Sequence, residues 1–176
     1  MTAEARTGHS PVPLPVTLGE FYDNAAPEVY RYFARALLGD RAAAEDLTQE
    51  TFAAVVTAAG KGRPEAFTMP WVIGVARHKL VDHYRHAARD ERHLALAWEQ
   101  CSDSIEPEFS DANPANVLEM MGQLSPEHRL VLILRYVDDL AAQDIATTLN
   151  RSLDATNSLL SRARRALAAS LTETES

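Results

Sequence analysis

The stretch LAAQDIATTLNRSLDATNSLLSRARRAL, Leu140 to Leu167, decides the fold of the carboxyl-terminal part of the chain. Apolar residues at helical spacing predict one helix over Leu140 to Leu149 and a second over Ser152 to Leu171. Only Asn150 and Arg151 separate them, and asparagine suits the left-handed conformation of a tight turn. This is the geometry of a helix-turn-helix. An ordinary helical hairpin with a solvated face has the same pattern, so both interpretations stay open on geometry alone.

The second of these helices has a predicted inward face and a predicted outward face. The residues expected to pack inward are Leu153, Thr156, Leu160, Ala163 and Leu167. The polar and basic residues left outward, available to base edges and phosphates, are Asn157, Ser158, Ser161, Arg162, Arg164 and Arg165. Leu159 also falls outward, where it would contact a thymine methyl or a protein partner.

The rest of the chain also has helical periodicity, so we expect an all-α fold with two small helical modules joined by a flexible acidic linker. One helix is predicted from Thr17 to a stop at Gly39, and a second helix begins after the cap at Asp40. Further helices are predicted over about Trp71 to Arg89, over Val117 to Gln123 and from Ser125. The expected divisions are a disordered tail (1–16), a first module (17–97), a linker (98–116), a second module (117–171) and a tail (172–176).

The charge of the 176-residue chain is unevenly distributed. The net charge is −8, yet residues 61–93 hold seven Lys and Arg against four Asp and Glu. Residues 94–127 hold no Lys or Arg and seven acids, and the two prolines between Leu94 and Asn116 favour a tether there. The basic segment therefore remains a candidate nucleic-acid surface despite the overall negative charge.

Several classes of function are not expected. Cys101 is the single cysteine, so no intramolecular disulfide can form, which fits a reducing cytoplasm. No stretch resembles a signal peptide or a membrane span. His78, His83, His86 and His93 lack a familiar metal-ligand spacing, and no nucleophile or phosphate-loop motif is present. We therefore predict a cytoplasmic protein that is not an enzyme and uses no metal or cofactor.

Three segments in order resemble sigma factors of the extracytoplasmic-function group, the smallest members of the sigma-70 family. AEDLTQETF (Ala44 to Phe52) is similar to the family's polymerase-binding signature, AEDLVQETF. PWVIGVARHKLVDHYRHAAR (Pro70 to Arg89) resembles the helix that reads and melts the minus-ten element. LSPEHRLVLILRYVDDLAAQDIATTLNRSLDATNSLLSRARRAL (Leu124 to Leu167) resembles the module that reads the minus-thirty-five element.

The resemblance implies three partners, namely core RNA polymerase, promoter DNA and an anti-sigma factor, and no small-molecule substrate. The implied polymerase-binding residues are Glu45, Asp46, Leu47, Gln49 and Glu50. The implied minus-ten residues are Lys61, Arg63, Phe67, Trp71, Arg77, His78, Lys79, Arg85 and Arg89. The implied minus-thirty-five residues are Arg151, Ser152, Asn157, Ser158, Ser161, Arg162, Arg164 and Arg165. By its pattern alone, Trp71 is equally well explained as a core residue.

The recognition helix departs from the family's usual SVGTVKSRLHRAR, which here reads SLDATNSLLSRAR (Ser152 to Arg164). Asn157, Leu159 and Ser161 replace cationic residues or histidine, and Asp154 adds an acid, so weak phosphate affinity is expected. Two alternatives follow. One is a sigma-like decoy that binds an anti-sigma factor without recognising DNA, and the other is a conventional dimeric helix-turn-helix repressor.

Overall fold

The computed structural model describes residues 18–63, 68–94 and 120–174, and every regular element in them is helical. The helices are α1 (Leu18–Ala36), α2 (Arg41–Gly60), α3 (Met69–Leu94), α4 (Pro126–Tyr136), α5 (Ala142–Leu149) and α6 (Leu153–Thr174). Residues 120–123 are also helical. The predicted all-α fold is confirmed, whereas the tail 1–16 and the linker 98–116 lie outside the described residues.

Helices α1, α2 and α3 form the first bundle, in which each helix packs against the other two. Its fully buried side chains include Val29, Phe33, Val55, Val72 and Leu80. Burying a side chain of this size contributes about 1.5–3 kcal/mol. This core fixes the rotation of α2 and α3, and so decides which of their residues face outward.

The break between α1 and α2 follows the predicted chemistry. Gly39 has φ +85°, a conformation that costs a glycine little. Asp40 then caps α2, because its Oδ1 accepts a hydrogen bond from the Ala43 N–H at 3.1 Å. The predicted stop and cap at these two residues are confirmed.

Helices α4, α5 and α6 form the second bundle. Ser125 caps α4 by accepting from the His128 N–H, and Pro126 occupies its first turn as predicted. Asn150 adopts the left-handed conformation, φ +51° and ψ +52°, between α5 and α6. The two helices are thus joined by the predicted short turn.

Helix bounds differ from the predictions at three places. Helix α3 begins at Met69 and continues to Leu94, beyond both predicted ends. Helix α5 begins at Ala142 rather than Leu140, because Asp139 takes a left-handed φ of +50° and breaks the helical path. Helix α6 continues to Thr174, three residues into the predicted tail.

The two bundles are in direct contact, because α3 packs against α4. Their buried apolar side chains form one continuous cluster that runs from Phe21 to Leu167. In the part of the chain that is described, no helix combines the length and apolar character needed to cross a bilayer.

The conformation of Asn150 yields a stability test. Asn150→Gly is expected to preserve the turn, whereas Asn150→Ala should lower the free energy of unfolding by about 1 kcal/mol. Alanine places a Cβ at positive φ and lacks the polar side chain through which asparagine hydrogen-bonds locally in this conformation. Urea unfolding of both variants measures the difference. Thr147→Ala, on the exposed side of α5, serves as control. Equal stability of the two Asn150 variants would show that this turn carries no strain.

Candidate nucleic-acid interface

Helix α2 presents an acidic surface formed by Glu45, Asp46, Gln49 and Glu50, whose side chains are all exposed. Leu47 is 7% exposed and belongs to the core, so it supports this surface from beneath and adds no contact area. The acidic surface therefore contains four of the five residues predicted for polymerase binding.

An aromatic groove between α1 and α2 borders the acidic surface and was not predicted. Tyr22 and Tyr30 line it together with Glu45 and Gln49. Tyr22 is 44% exposed although its ring packs edge-on against Phe52, with ring centroids 4.7 Å apart. Aromatic side chains beside exposed acids are typical of a protein-binding surface. The signal in the sequence is Tyr22, an aromatic residue that lies off the apolar spacing of α1.

A basic cleft lies between α2 and α3, with an open volume of about 600 Å³. Its polar lining includes Lys61, Arg63, Lys79 and Glu50, and Trp71 forms part of its wall. Lys79 Nζ lies 2.9 Å from Glu50 Oε2, which ties the cleft to the acidic surface. Trp71 is half-buried, packed on the core on one side and facing the cleft on the other. Phe67 lies outside the described residues.

The other predicted minus-ten residues follow α3 away from the cleft. His78 is exposed, and its Nδ1 lies 2.8 Å from the Gly74 carbonyl oxygen. Arg85 Nη1 lies 3.6 Å from Oδ1 of Asp82, which is three residues earlier in α3. Arg89 is exposed. Arg77 and Arg85 also contact the second bundle, which the sequence did not predict.

The start of α6 is organised as expected for a recognition helix. Ser152 Oγ accepts from the Ala155 N–H at 3.2 Å, and Asn157, Ser158 and Arg162 are exposed along the outer face. Ser161 and Arg164 are half-buried. Arg151 forms a salt bridge with Glu127 of α4, so part of its charge is neutralised within the protein.

Three residues of α6 depart from their predicted faces. Leu159 was predicted outward but is fully buried, and Leu153 was predicted inward but is 40% exposed. Arg165 was predicted outward, yet its Nε atom is buried. Helix α6 packs against both α4 and α5, so its buried face is wider than one stripe, while its first residue lies past the end of the core. Neither the thymine contact nor the partner contact suggested for Leu159 is possible.

Comparisons with known proteins give a consistent result. Residues 21–90 match Sigma-70 region 2, and residues 115–167 match Sigma-70, region 4. ECF RNA polymerase sigma factor SigL of Mycobacterium tuberculosis is 32% identical over 163 residues, covering 86% of this chain and 87% of that protein. RNA polymerase sigma factor CarQ of Myxococcus xanthus is 28% identical over 127 residues, 72% of each chain.

One solved structure is similar in fold. It is the sigma factor RpoE in complex with the anti-sigma factor NepR from Bartonella quintana, with a TM-score of 0.55 and 17% identity. The match covers 90% of this chain and 98% of that one. At this identity the likeness concerns the fold alone.

His128 links the stability of the second bundle to pH. Burial lowers the pKa of His128 below its ordinary 6.5, and the nearby Arg162 lowers the pKa further, while Glu127 acts in the opposite direction. The folded protein therefore binds fewer protons than the unfolded chain just below pH 6.5. Its stability should fall as the pH drops through that window and level off below the folded pKa.

His128→Gln is expected to make the unfolding free energy less dependent on pH between 7 and 5, because the substituted side chain does not titrate. Urea unfolding at several pH values measures this dependence for the variant and the parent. The unfolding free energies of variant and parent should differ by a constant amount above pH 7.5, where the imidazole is neutral in the folded and the unfolded protein. An unchanged pH dependence would show that His128 protonates equally in both states.

Proposed function

Since the chain belongs to the sigma-70 family, in its extracytoplasmic-function (ECF) group, we propose that it directs core RNA polymerase to specific promoters and starts transcription there, in the cytoplasm. The observation that carries this proposal is the pairing of two modules in order, one matching region 2 and one matching region 4. The family consists of transcription regulators rather than enzymes.

Core polymerase binds the acidic surface on α2 in this proposal. Four exposed polar or acidic residues on two successive helical turns form a patch that fits a basic partner surface. The aromatic groove beside it adds apolar contact area around Tyr22 and Tyr30. The aromatic groove supplies binding affinity. The acidic surface orients the polymerase and raises the rate of association.

Minus-ten DNA binds the first bundle through the basic cleft and the outer side of α3. Lys61, Arg63 and Lys79 supply cations for the phosphates, and Trp71 supplies an aromatic wall against which an unstacked base can lie. Stacking on an aromatic ring offsets the few kcal/mol that a base loses when it leaves the duplex. Phe67 remains part of the proposed site by its place in the sequence.

Minus-thirty-five DNA binds the outer face of α6. Ser152, Asn157 and Ser158 are exposed near its amino terminus, where a recognition helix approaches base edges, and Arg162 lies one turn further on. Asparagine can hydrogen-bond adenine through two atoms, so Asn157 is the proposed base reader. With the Nε atom of Arg165 buried and Arg151 paired to Glu127, this module has few free cations for DNA.

An anti-sigma factor is the proposed regulatory partner. The similar RpoE was solved in complex with the anti-sigma factor NepR. The decoy alternative is not favoured, because relatives that match both modules are named ECF RNA polymerase sigma factors. The dimeric repressor alternative is disfavoured for the same reason.

Charge reversal tests the polymerase site. The double substitution Glu45→Lys and Asp46→Lys should weaken binding to core polymerase by on the order of tenfold or more, because like charges would then face each other across the interface. Fluorescence anisotropy of labelled protein against core polymerase gives the affinity. Glu28→Lys, at an exposed carboxylate of α1 outside the acidic surface, is the control and should bind normally. Parent-like affinity of the double variant would exclude this site.

Two substitutions on α6 separate base reading from phosphate binding. Asn157→Ala should relax sequence preference at one promoter position, a discrimination of about 1–3 kcal/mol, whereas Arg162→Ala should weaken binding to all sequences and reduce the salt dependence by about one counterion. Selection of binding sites by the holoenzyme from a randomised upstream library measures the sequence preference, and holoenzyme affinity for one promoter at several salt concentrations measures the salt dependence. An Asn157→Ala holoenzyme with unchanged preference would remove Asn157 from base recognition.

A further inference from the structure

The first and second bundles meet at a buried carboxylate. Asp138, in the turn after α4, has a side chain that is only 4% exposed. Its Oδ2 accepts a hydrogen bond from Arg77 Nε of α3 at 2.8 Å and another from Tyr32 Oη of α1 at 3.2 Å. A buried carboxylate is tolerated only with such partners. Both donors belong to the first bundle, so the buried Asp138 charge is compensated from across the junction between the bundles.

Tyr32 is suited to its role as a donor. Burial, followed by the nearby Asp138 carboxylate, raises the pKa of Tyr32 well above its ordinary value of 10.0. The phenol therefore keeps its proton at any physiological pH and donates it to Asp138. Its ring packs edge-on against Phe33, with centroids 5.3 Å apart, which orients the hydroxyl towards the second bundle.

A second set of contacts lies about two turns further along α3. Arg85 Nη2 donates to the Leu149 carbonyl oxygen, at the end of α5, at 3.1 Å. The Arg129 guanidinium of α4 lies 5.9 Å from the centre of the Tyr84 ring. Tyr84 is itself held by a 2.6 Å hydrogen bond to the Ala36 carbonyl oxygen. The contacts of Asp138 and of Leu149 thus engage two arginines of the same helix.

Arg77 and Arg85 are among the residues that the family resemblance assigns to minus-ten DNA. Both lie on α3, which binds that DNA in the proposed function on which this inference rests. While the Nε–H of Arg77 donates to the buried Asp138 carboxylate, it cannot donate to a phosphate. Carboxylate and phosphate are both anionic oxygen acceptors for arginine N–H groups, so Asp138 presents to Arg77 the chemistry that a DNA backbone would present. The second bundle and the promoter therefore compete for one face of α3.

We propose that the free protein is self-inhibited: its carboxyl-terminal module closes on α3, and Asp138 takes the place of a promoter phosphate on Arg77. Opening of this contact, which we call the Asp138 latch, exposes Arg77 and Arg85 together. Because both modules belong to one chain, the latch closes as an intramolecular contact and needs little intrinsic affinity. On opening, Asp138, Arg77 and Tyr32 can all be solvated, and the apolar side chains that meet across the junction are exposed.

The latch can be tested with three substitutions in the full chain. Asp138→Asn removes the charge but keeps the size, and Tyr32→Phe removes one donor from the first bundle. Asp139→Asn is the matched control, because it deletes the same charge from an adjacent exposed residue, and asparagine tolerates its positive φ. Thermal unfolding first establishes that each variant folds.

Two measurements are made on each variant. Spin labels at Ala42→Cys and Gln143→Cys, two exposed positions in α2 and α5, report the distance between the modules in a Cys101→Ser background. Anisotropy with a mixed-sequence single-stranded 20-mer reports DNA affinity of the free protein. We expect a single short distance in the parent and Asp139→Asn, longer and broader distances in Asp138→Asn and Tyr32→Phe, and roughly tenfold tighter DNA binding by Asp138→Asn than by Asp139→Asn.

Two results would overturn the latch. Identical distance distributions in the parent and Asp138→Asn would show that Asp138 does not hold the modules together. Opened modules with no gain in DNA affinity over Asp139→Asn would show that the contact does not inhibit. Promoter-dependent transcription by the holoenzyme decides the proposed function independently, since polymerase binding uses the acidic surface on α2 and not the latch.

Discussion

A carboxylate removed from water must be compensated by donors, and the Asp138 carboxylate finds them on the neighbouring bundle. This requirement fixes more than one contact. It sets the position of the α4–α5 turn against α1 and α3, because Arg77 and Tyr32 both reach the same oxygen. With that turn in place, α4 lies along α3, and the end of α5 comes within reach of Arg85. The apolar core also continues across the junction, so the buried charge and apolar packing together set the relative placement of the two modules.

The arrangement separates the functions of the first bundle by helix face. Helix α2 turns its apolar residues inward and its acids outward, towards the proposed polymerase partner. Helix α3 turns its cations towards the cleft on one side and towards the second bundle on the other. The salt bridge between Lys79 and Glu50 lies where the acidic surface and the basic cleft meet. Partly exposed pairs of this kind contribute about 0–1 kcal/mol, so the bridge orients side chains more than it stabilises the fold.

Local features were predictable from the sequence because their causes are local. The cap at Asp40, the cap at Ser125 and the left-handed turn at Asn150 each depend on residues within four positions, and all three were confirmed. The exposure of the acids on α2 followed from helical periodicity. Faces were predicted less well at the edges of the buried stripe of α6, as for Leu153 and Leu159. A periodic pattern gives the direction of the core but not the width of the buried face.

The contact between modules could not be predicted from the sequence, because Asp138 lies 61 positions from Arg77 and 106 from Tyr32. Nothing in the motif distinguishes Asp138 from the adjacent exposed Asp139, since only the path of the turn buries one and not the other.

The two modules are also unequal in charge available to DNA. The cations of the first bundle are many but partly engaged, whereas the recognition helix has few, and the Nε atom of its Arg165 is buried. A weak module gains binding through a tether to a strong one, because its local concentration near the DNA is then raised. In the proposed holoenzyme, polymerase and the first bundle would supply most of the DNA affinity, leaving α6 to contribute selectivity through Asn157 and its neighbours.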